Sequence, residues 1–280
     1  MINKKLTLSI VIPVFNEENY IADCLNSIAA QSELPDEVIV VDNNSTDNTA
    51  AVAKRFPFTE IIQARRQGVL SARNRGFDAA TSDIIGRIDA DTVLSPGWVK
   101  SVKKAMNKET VAAITGPVSY YDMPIPHVNH RIDHFLRKSV YNWAPKSPFL
   151  FGSNMAIRRQ AWLQVSSSLC KVQNIHEDLD LAIHLARSNQ KILYSKSLLS
   201  GISGRRYSDS PSEFKDYMSM FRRAYLMHNI HGLAIYSAAG IYWLGYLLIH
   251  PWISLKRFIN NSFNPLNNSV YQSRKNPMRG

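Results

Sequence analysis

Five short apolar runs in the first 115 residues, each separated from the next by a stretch with helical spacing, restrict what this chain can fold into more than any other feature. The runs are Leu6–Val14, Glu37–Val41, Thr59–Ile62, Ile84–Ile88 and Val111–Thr115. Runs that stay apolar, rather than alternating, suit strands covered on both faces, as in a parallel sheet between helical layers. The intervening stretches have the marks of helices. Tyr20–Gln31 carries Ile21, Leu25 and Ile28 on one side. Thr46–Arg55 follows the capping cluster Asn43–Ser45. Gly68–Ala80 comes next, and Pro96–Met106 has Ser95 as the expected N-cap and Pro96 at the first helical position. Strands alternating with helices predict βαβ units and a doubly wound α/β domain.

Beyond Gly116 the pattern loosens. Prolines at 117, 124, 126, 145 and 148 separate loop-like segments, and the helices expected before His228 are Asp178–Ser188 and Ser212–His228. From Asn229 to Leu255 there is no Asp, Glu, Lys or Arg, and Leu233–Ile249 is nearly all apolar, small or aromatic. The division expected is 1–115, 116–228, a hydrophobic segment 229–258 and a basic, disordered tail 259–280. Hydrophobic residues at 45% exclude a chain disordered throughout. Cys24 and Cys170 are too few for a disulfide scaffold and point to a reducing compartment. No secretory signal is expected at the start, since Leu6–Val14 is short and runs into Pro13 and Asn16. The net charge of +11 leaves nucleic acid, anionic lipid or a phosphorylated substrate as partners.

Four polar clusters stand at strand or helix ends, where ligands sit in open α/β sheets. Pro13–Glu18 (PVFNEE) closes the first run, and Pro13 frees the following backbone to face a ligand. Val41–Thr49 (VDNNSTDNT) closes the second, where Asp42 can accept from a base or ribose. Ile88–Thr92 (IDADT) closes the fourth; Asp89 and Asp91 can together hold a hard divalent cation that bridges two phosphates. His176–Leu181 (HEDLDL) opens a helix, where an acid pointing into the cleft can act as a general base. Alone, each is ordinary: a strand end, a capped turn, a surface Asp pair, acids at a helix start. Their order and spacing together are not.

With these motifs, together with SARNRG and GSNMAIRR, the chain resembles family 2 glycosyltransferases of the GT-A fold over roughly residues 6–225. The resemblance implies a nucleotide-diphospho-sugar transferase fold, a Rossmann-like mixed sheet flanked by helices, with a nucleotide-sugar half (1–115), an acceptor half (116–228) and a C-terminal hydrophobic helix. It implies that Pro13, Phe15, Glu17 and Asp42 contact the nucleoside, that Arg73 approaches the nucleotide, and that Ala90 lies near the ribose. Asp91, with Asp89, would coordinate Mn2+ or Mg2+, Asp178 would be the catalytic base, and Gly152, Ser153, Asn154 and Glu177 would line the acceptor side. Arg205 and Arg206 sit where a loop could close over the diphosphate. The reaction implied is inverting transfer from a nucleotide sugar, first a UDP-sugar, to a hydroxyl of a lipid-linked or cell-envelope glycan.

The pattern also departs from the family. A third metal ligand, frequently a His, has no clear place: His176, His184, His228 and His231 lack distinctive local context. His127, His130 and His134 are spaced like ligands but have no acidic or Cys companions. Phe221–Tyr225 reads FRRAY where processive synthases carry Gln-x-x-Arg-Trp, which argues against long-chain polymerisation. Leu233–Ile249 as a helix spans about 25 Å, short for a ~30 Å hydrocarbon core, so attachment at the cytoplasmic face of a membrane is expected through 229–258. Five basic residues and no acid in the last 30 residues fit an anionic surface better than nucleic acid. A nucleotidyltransferase would open with a Gly-rich loop where this chain has PVFNEE, and a basic nucleic-acid binder would need a clustered basic face that the dispersed charges do not make.

Overall fold

A computed structural model describes residues 5–123, 125–143, 148–232, 240 and 242–254. Its main sheet has seven strands. The first four are β1 (Leu8–Val14), β2 (Glu37–Asp42), β3 (Glu60–Gln63) and β4 (Ile84–Arg87); the other three are β6 (Val111–Thr115), β8 (Met155–Arg158) and β9 (Lys191–Tyr194). Their order is β3-β2-β1-β4-β8-β6-β9, parallel except that β8 runs antiparallel to both neighbours. A small sheet, β5 (Val93–Leu94), β10 (Ser200–Ile202) and β7 (Val118–Tyr120), lies beyond the end of β4.

Helices cover both faces, which is why the central strands are apolar over most of their length. Ile10 and Ile12 of β1 pack with α1 (Ile21–Ala29) and α4 (Trp98–Met106) through Leu25, Ile28, Trp98 and Val102. Val11 points the other way, toward α3 (Val69–Ala79), α6 (Arg159–Val165) and α7 (Glu177–Arg187), among Phe77, Trp162 and Leu181. At Gly76 the seat of α3 on β1 leaves no room for a side chain: a Cβ there would stand 2.3 Å from Val11 Cγ1.

The expected helix starts shift for local reasons. α4 begins at Trp98, with Gly97 as its N-cap rather than Ser95. Gln31 provides the cap from outside: its Oε1 accepts from Val99 N at 3.2 Å and its Nε2 donates to Ser95 O at 2.8 Å. α2 is only Thr49–Ala53, because Asp47, not the Asn43–Ser45 cluster, accepts from the first backbone N–H at Thr49 (2.9 Å).

The larger correction is the middle of the chain. α5 (Pro126–Trp143) fills a region whose prolines suggested loops. Pro126 stands at its first position, where a missing N–H costs nothing, and Pro145 and Pro148 follow its end. Its pattern is also inverted. Buried Asp133 and Arg137 face the protein, paired at 2.8 Å, while Val128, Ile132 and Phe135 are exposed. Asp133 Oδ2 accepts from Val118 N at 2.9 Å, and Arg137 lies 3.8 Å over the Phe151 ring.

α8 (Pro211–Met227) opens with a capping box between Ser210 and Glu213. Residues 242–254 form a helical stretch against it. Tyr246 stacks on Phe214 at 4.1 Å and donates to Asp209 O at 2.7 Å. Of the hydrophobic segment expected at 229–258, residues 233–239, 241 and 255–258 fall outside the described residues, as does the basic tail. Among the described residues no helix is long and apolar enough to cross a membrane.

Candidate active site

The site lies past the C-terminal edges of β1, β2 and β4, where the strand order reverses direction. Strand periodicity puts Arg87 and Asp89 on one side of the β4 edge. Arg87 Nη2 bridges Asp89 Oδ1 at 2.9 Å and Glu177 Oε1 at 3.1 Å. This buried arginine therefore ties the D-x-D loop to the first turn of α7. Burial works against its charge, but Asp89, Glu177 and Asp178 outweigh it, so its pKa is raised. Sequence reasoning passed over Arg87; the signal was its place two residues before Asp89 at a strand end.

The guanidinium lies against Gly152, where a Cβ would come 1.3 Å from Arg87 Nη1. Gly152 N donates to Asp178 Oδ2 at 2.8 Å, and Leu179 N to Asp178 Oδ1 at 2.9 Å. These bonds aim the Asp178 carboxylate at the start of α7, where the helix dipole favours an anion. Its pKa is nevertheless raised, chiefly by burial, with Arg87 and the two N–H donors pulling the other way. Glu177 is buried and raised for the same reason, and its Oε2 has no hydrogen-bond partner.

Asp91 and Glu17 meet on one cation. Arg205 Nη2 is 2.9 Å from Asp91 Oδ2 and 2.8 Å from Glu17 Oε1, with a second bond to Glu17 Oε2 at 2.8 Å. Its guanidinium also lies 4.3 Å over the Tyr20 ring. The expected loop arginine thus reaches from a 3-10 turn, Arg205–Ser208, to both the first strand end and the D-x-D pair. Arg206 turns away, to Asp209 at 2.9 Å and over Tyr217 at 4.2 Å. Asp89 and Asp91 offer hard carboxylate oxygens, the donor set of Mg2+ or Mn2+, and the Asp89 side chain is 35% exposed and accessible.

The nucleoside side is built from laced loops. Pro13 and Phe15 are half-buried at the end of β1. Asn16, at a φ of 55°, accepts from Thr46 N at 2.8 Å, and Glu17 N donates to Thr49 Oγ1 at 2.7 Å, so the loops after β1 and β2 are tied to each other. Asp42 is buried, accepting from Ser45 N at 3.0 Å and Gln63 Nε2 at 2.8 Å.

Three other expected site residues are buried. Ala90 lies in the core cluster beneath the sheet edge. Arg73 is buried against Phe77 and Trp162, its Nη1 3.5 Å from Glu177 O, below the first turn of α7 rather than in a nucleotide cleft; burial brings its pKa down to about 10. Asn154 is fully buried under the acceptor side, holding Trp98 Nε1, Pro117 O and Leu198 O at 2.8, 2.9 and 2.8 Å. Ser153 is buried beside it. Of that strip, Gly152 touches Asp178. His130 and His134 bond to Val118 O and the Tyr194 hydroxyl, and buried His176 faces Tyr217 O.

The sequence profile described as Glycosyl transferase family 2 matches residues 9–164. Among curated proteins the chain is similar to the uncharacterized glycosyltransferase YibD of Escherichia coli K12 (31% identity over 100 residues, 34% of this chain and 29% of that protein). It is also similar to the glycosyltransferase AglE of Haloferax volcanii (30% over 120 residues, 40% of each). The matched stretches thus span less than half of either relative's length. Among solved structures, the mannosyltransferase PcManGT of Pyrobaculum calidifontis, in complex with GDP-Man and Mn2+, superposes with a TM-score of 0.58 at 18% identity, covering 95% of this chain and 88% of that one. Glucosyl-3-phosphoglycerate synthase of Mycobacterium tuberculosis, with Mn2+, UDP-glucose and phosphoglyceric acid, gives 0.58 at 19% identity, covering 81% and 82%.

Proposed function

Since the chain belongs to glycosyl transferase family 2 and its fold is that of GT-A glycosyltransferases, we propose that it transfers a sugar from a nucleotide-sugar donor to a hydroxyl acceptor in one inverting, metal-assisted displacement. One observation carries this reading: Arg87 joins Asp89 of the D-x-D loop to Glu177, beside the oriented carboxylate of Asp178. One acid of the D-x-D pair is thereby tied to the helix turn that carries the candidate base.

Asp89 and Asp91 would hold Mn2+ or Mg2+, which when bound offsets the negative charge of the diphosphate leaving group. Arg205, now on Glu17 and Asp91, is positioned to add a second positive group at the same place. Asp178 takes the proton of the acceptor hydroxyl. The acceptor oxygen forms its bond to the anomeric carbon as the bond to phosphate breaks, and that electron pair leaves with the nucleoside diphosphate. A raised Asp178 pKa makes its carboxylate a stronger base than a solvated aspartate, and places the acidic limb of the rate profile above the ordinary carboxylate value. Asp178→Asn should lower kcat by at least about 100-fold while leaving donor-induced thermal stabilisation intact; near-normal transfer by that variant would end the base assignment. A panel of UDP-, GDP- and dTDP-sugars with Mn2+ decides the nucleotide, with UDP first, as in the mycobacterial neighbour. Stabilisation by none of them would count against the whole reading.

The acceptor we favour is a lipid-linked glycan, with the protein attached to an anionic membrane surface. Support comes from α5 and the helical stretch 242–254. They meet through an Arg137–Tyr242 bond of 3.0 Å and expose Ile132, Phe135, Leu244 and Leu248, and α5 also carries the exposed cations Arg131 and Lys138. Co-sedimentation with anionic but not neutral vesicles, weakened by Phe135→Ser, is expected. Equal binding to both, or none, would remove this part of the proposal.

A further inference from the structure

Two histidines that had no distinctive context in the sequence meet around a buried aspartate and a cysteine. Asp180, wholly buried on α7, lies 2.7 Å from His228 Nε2 and 3.5 Å from His184 Nε2. Cys170 Sγ, from the loop before α7, is 3.8 Å from each of the same two nitrogens. One ligand atom from each of the four residues lies within 4.8 Å of all the others. Asp89 and Asp91 belong to a different group of contacts, on Arg87 and Arg205.

We propose that Cys170, Asp180, His184 and His228 form a structural zinc site that pins the end of α8 and the loop before α7 onto the helix carrying Asp178. The spacing is the first argument. With Zn–S about 2.3 Å and Zn–N or Zn–O about 2.0–2.1 Å, a tetrahedron has S–N edges near 3.6 Å and N–O edges near 3.3 Å. Three of the four edges above already lie within about 0.2 Å of these values. The His228–Asp180 edge, a hydrogen bond without the ion, opens by about 0.6 Å.

The donor chemistry is the second argument. A thiolate, two imidazoles and a carboxylate form a borderline-soft set suited to Zn2+, unlike the all-oxygen pair at Asp89 and Asp91. Four protein ligands leave no open position, which marks a structural rather than a catalytic ion. The third argument is the outer support. Ser168 Oγ donates to Val165 O at 2.8 Å and lies 3.2 Å from His184 Nδ1, so it accepts the Nδ1 proton and leaves the Nε2 lone pair aimed at the cluster. Cys170 N donates to Asp180 Oδ2 at 3.1 Å, fixing that carboxylate with Oδ1 toward the histidines. Arg187 Nη2 bonds His228 O at 2.6 Å, and its Nη1 contact to His228 Nδ1 at 3.0 Å must turn away as that nitrogen gains the proton. A disulfide is not the alternative use of Cys170, because Cys24 is buried beside the backbone of Asp89.

The test is metal analysis of tag-free, full-length protein purified without chelator and equilibrated with zinc. Wild type should hold about one zinc per chain by mass spectrometry of the elements, and Asp91→Asn should hold the same. Cys170→Ser, nearly isosteric, and His228→Gln should each retain at least about tenfold less after dialysis. Cobalt in place of zinc should give a thiolate-to-metal charge-transfer band in wild type that Cys170→Ser lacks. Wild type without stoichiometric zinc, zinc retained equally by both ligand variants, or a cobalt spectrum without thiolate character would each overturn the proposal.

Discussion

Replacing Gly152 with alanine tests the bridge at the centre of the site. The added methyl would stand 1.3 Å from Arg87 Nη1 and 2.5 Å from its Cζ, well inside contact distance. Arg87 cannot simply swing away, since its side chain is 6% exposed and held by Asp89 and Glu177 at 2.9 and 3.1 Å. Overpacking of this kind costs about 1–3 kcal/mol. Weakening a buried ion pair adds to it, with complete loss of one partner worth about 3–5 kcal/mol as an upper bound. A total near 2–4 kcal/mol corresponds to a fall in Tm of roughly 5–10 °C for a chain of this size. Activity should drop further than stability, because Gly152 N also orients Asp178, and a misplacement of about 1 Å can cost on the order of 100-fold. Thermal melting and a sugar-transfer assay on the purified variant measure the two effects. The cause is then isolated in an Arg87→Ala background, where the methyl has room: there Gly152→Ala should add less than about 0.5 kcal/mol. The same loss in both backgrounds would show that Arg87 is not what the methyl strikes, and the reasoning would fail.

Other expectations follow from single contacts. Burial takes the His176 pKa from 6.5 down to about 4, so the unfolded chain binds a proton there that the folded one refuses. Stability should therefore fall as pH drops from 6.5 toward 4, by up to about 3 kcal/mol at 1.36 kcal/mol per pH unit, and His176→Gln should flatten that slope in pH-dependent denaturant melts. Asn154→Ala removes three buried hydrogen bonds and should cost about 2–4 kcal/mol by urea unfolding, with donor affinity in the remaining folded protein unchanged. Arg205→Ala should raise KM for the donor by about 10–100-fold in steady-state kinetics and also lower Tm, because buried Glu17 and Asp91 lose the cation they share.

The two halves of the chain were not equally readable. In the first 115 residues local pattern and tertiary environment agree, because strands covered on both faces must be apolar throughout; β6 occupies Val111–Thr115, the bounds its sequence suggests. In α5 they conflict. Its inward face carries Asp133 and Arg137 and its outward face carries Ile132 and Phe135, so no amphipathic rule points it inward.

The site divides along the same line. Sequence alone determined the α/β fold class and the family and singled out Asp89, Asp91 and Asp178 as candidates, because strand ends and helix starts have local signatures. Only the tertiary structure decided what those residues face. It set Arg87 between Asp89 and Glu177, brought Arg205 across 188 positions of the chain to Glu17, and buried Asn154. It also gathered Cys170, Asp180, His184 and His228 from three separate segments. Long-range pairings of this kind depend on distance in space, and nothing in the spacing of residues along the chain records it.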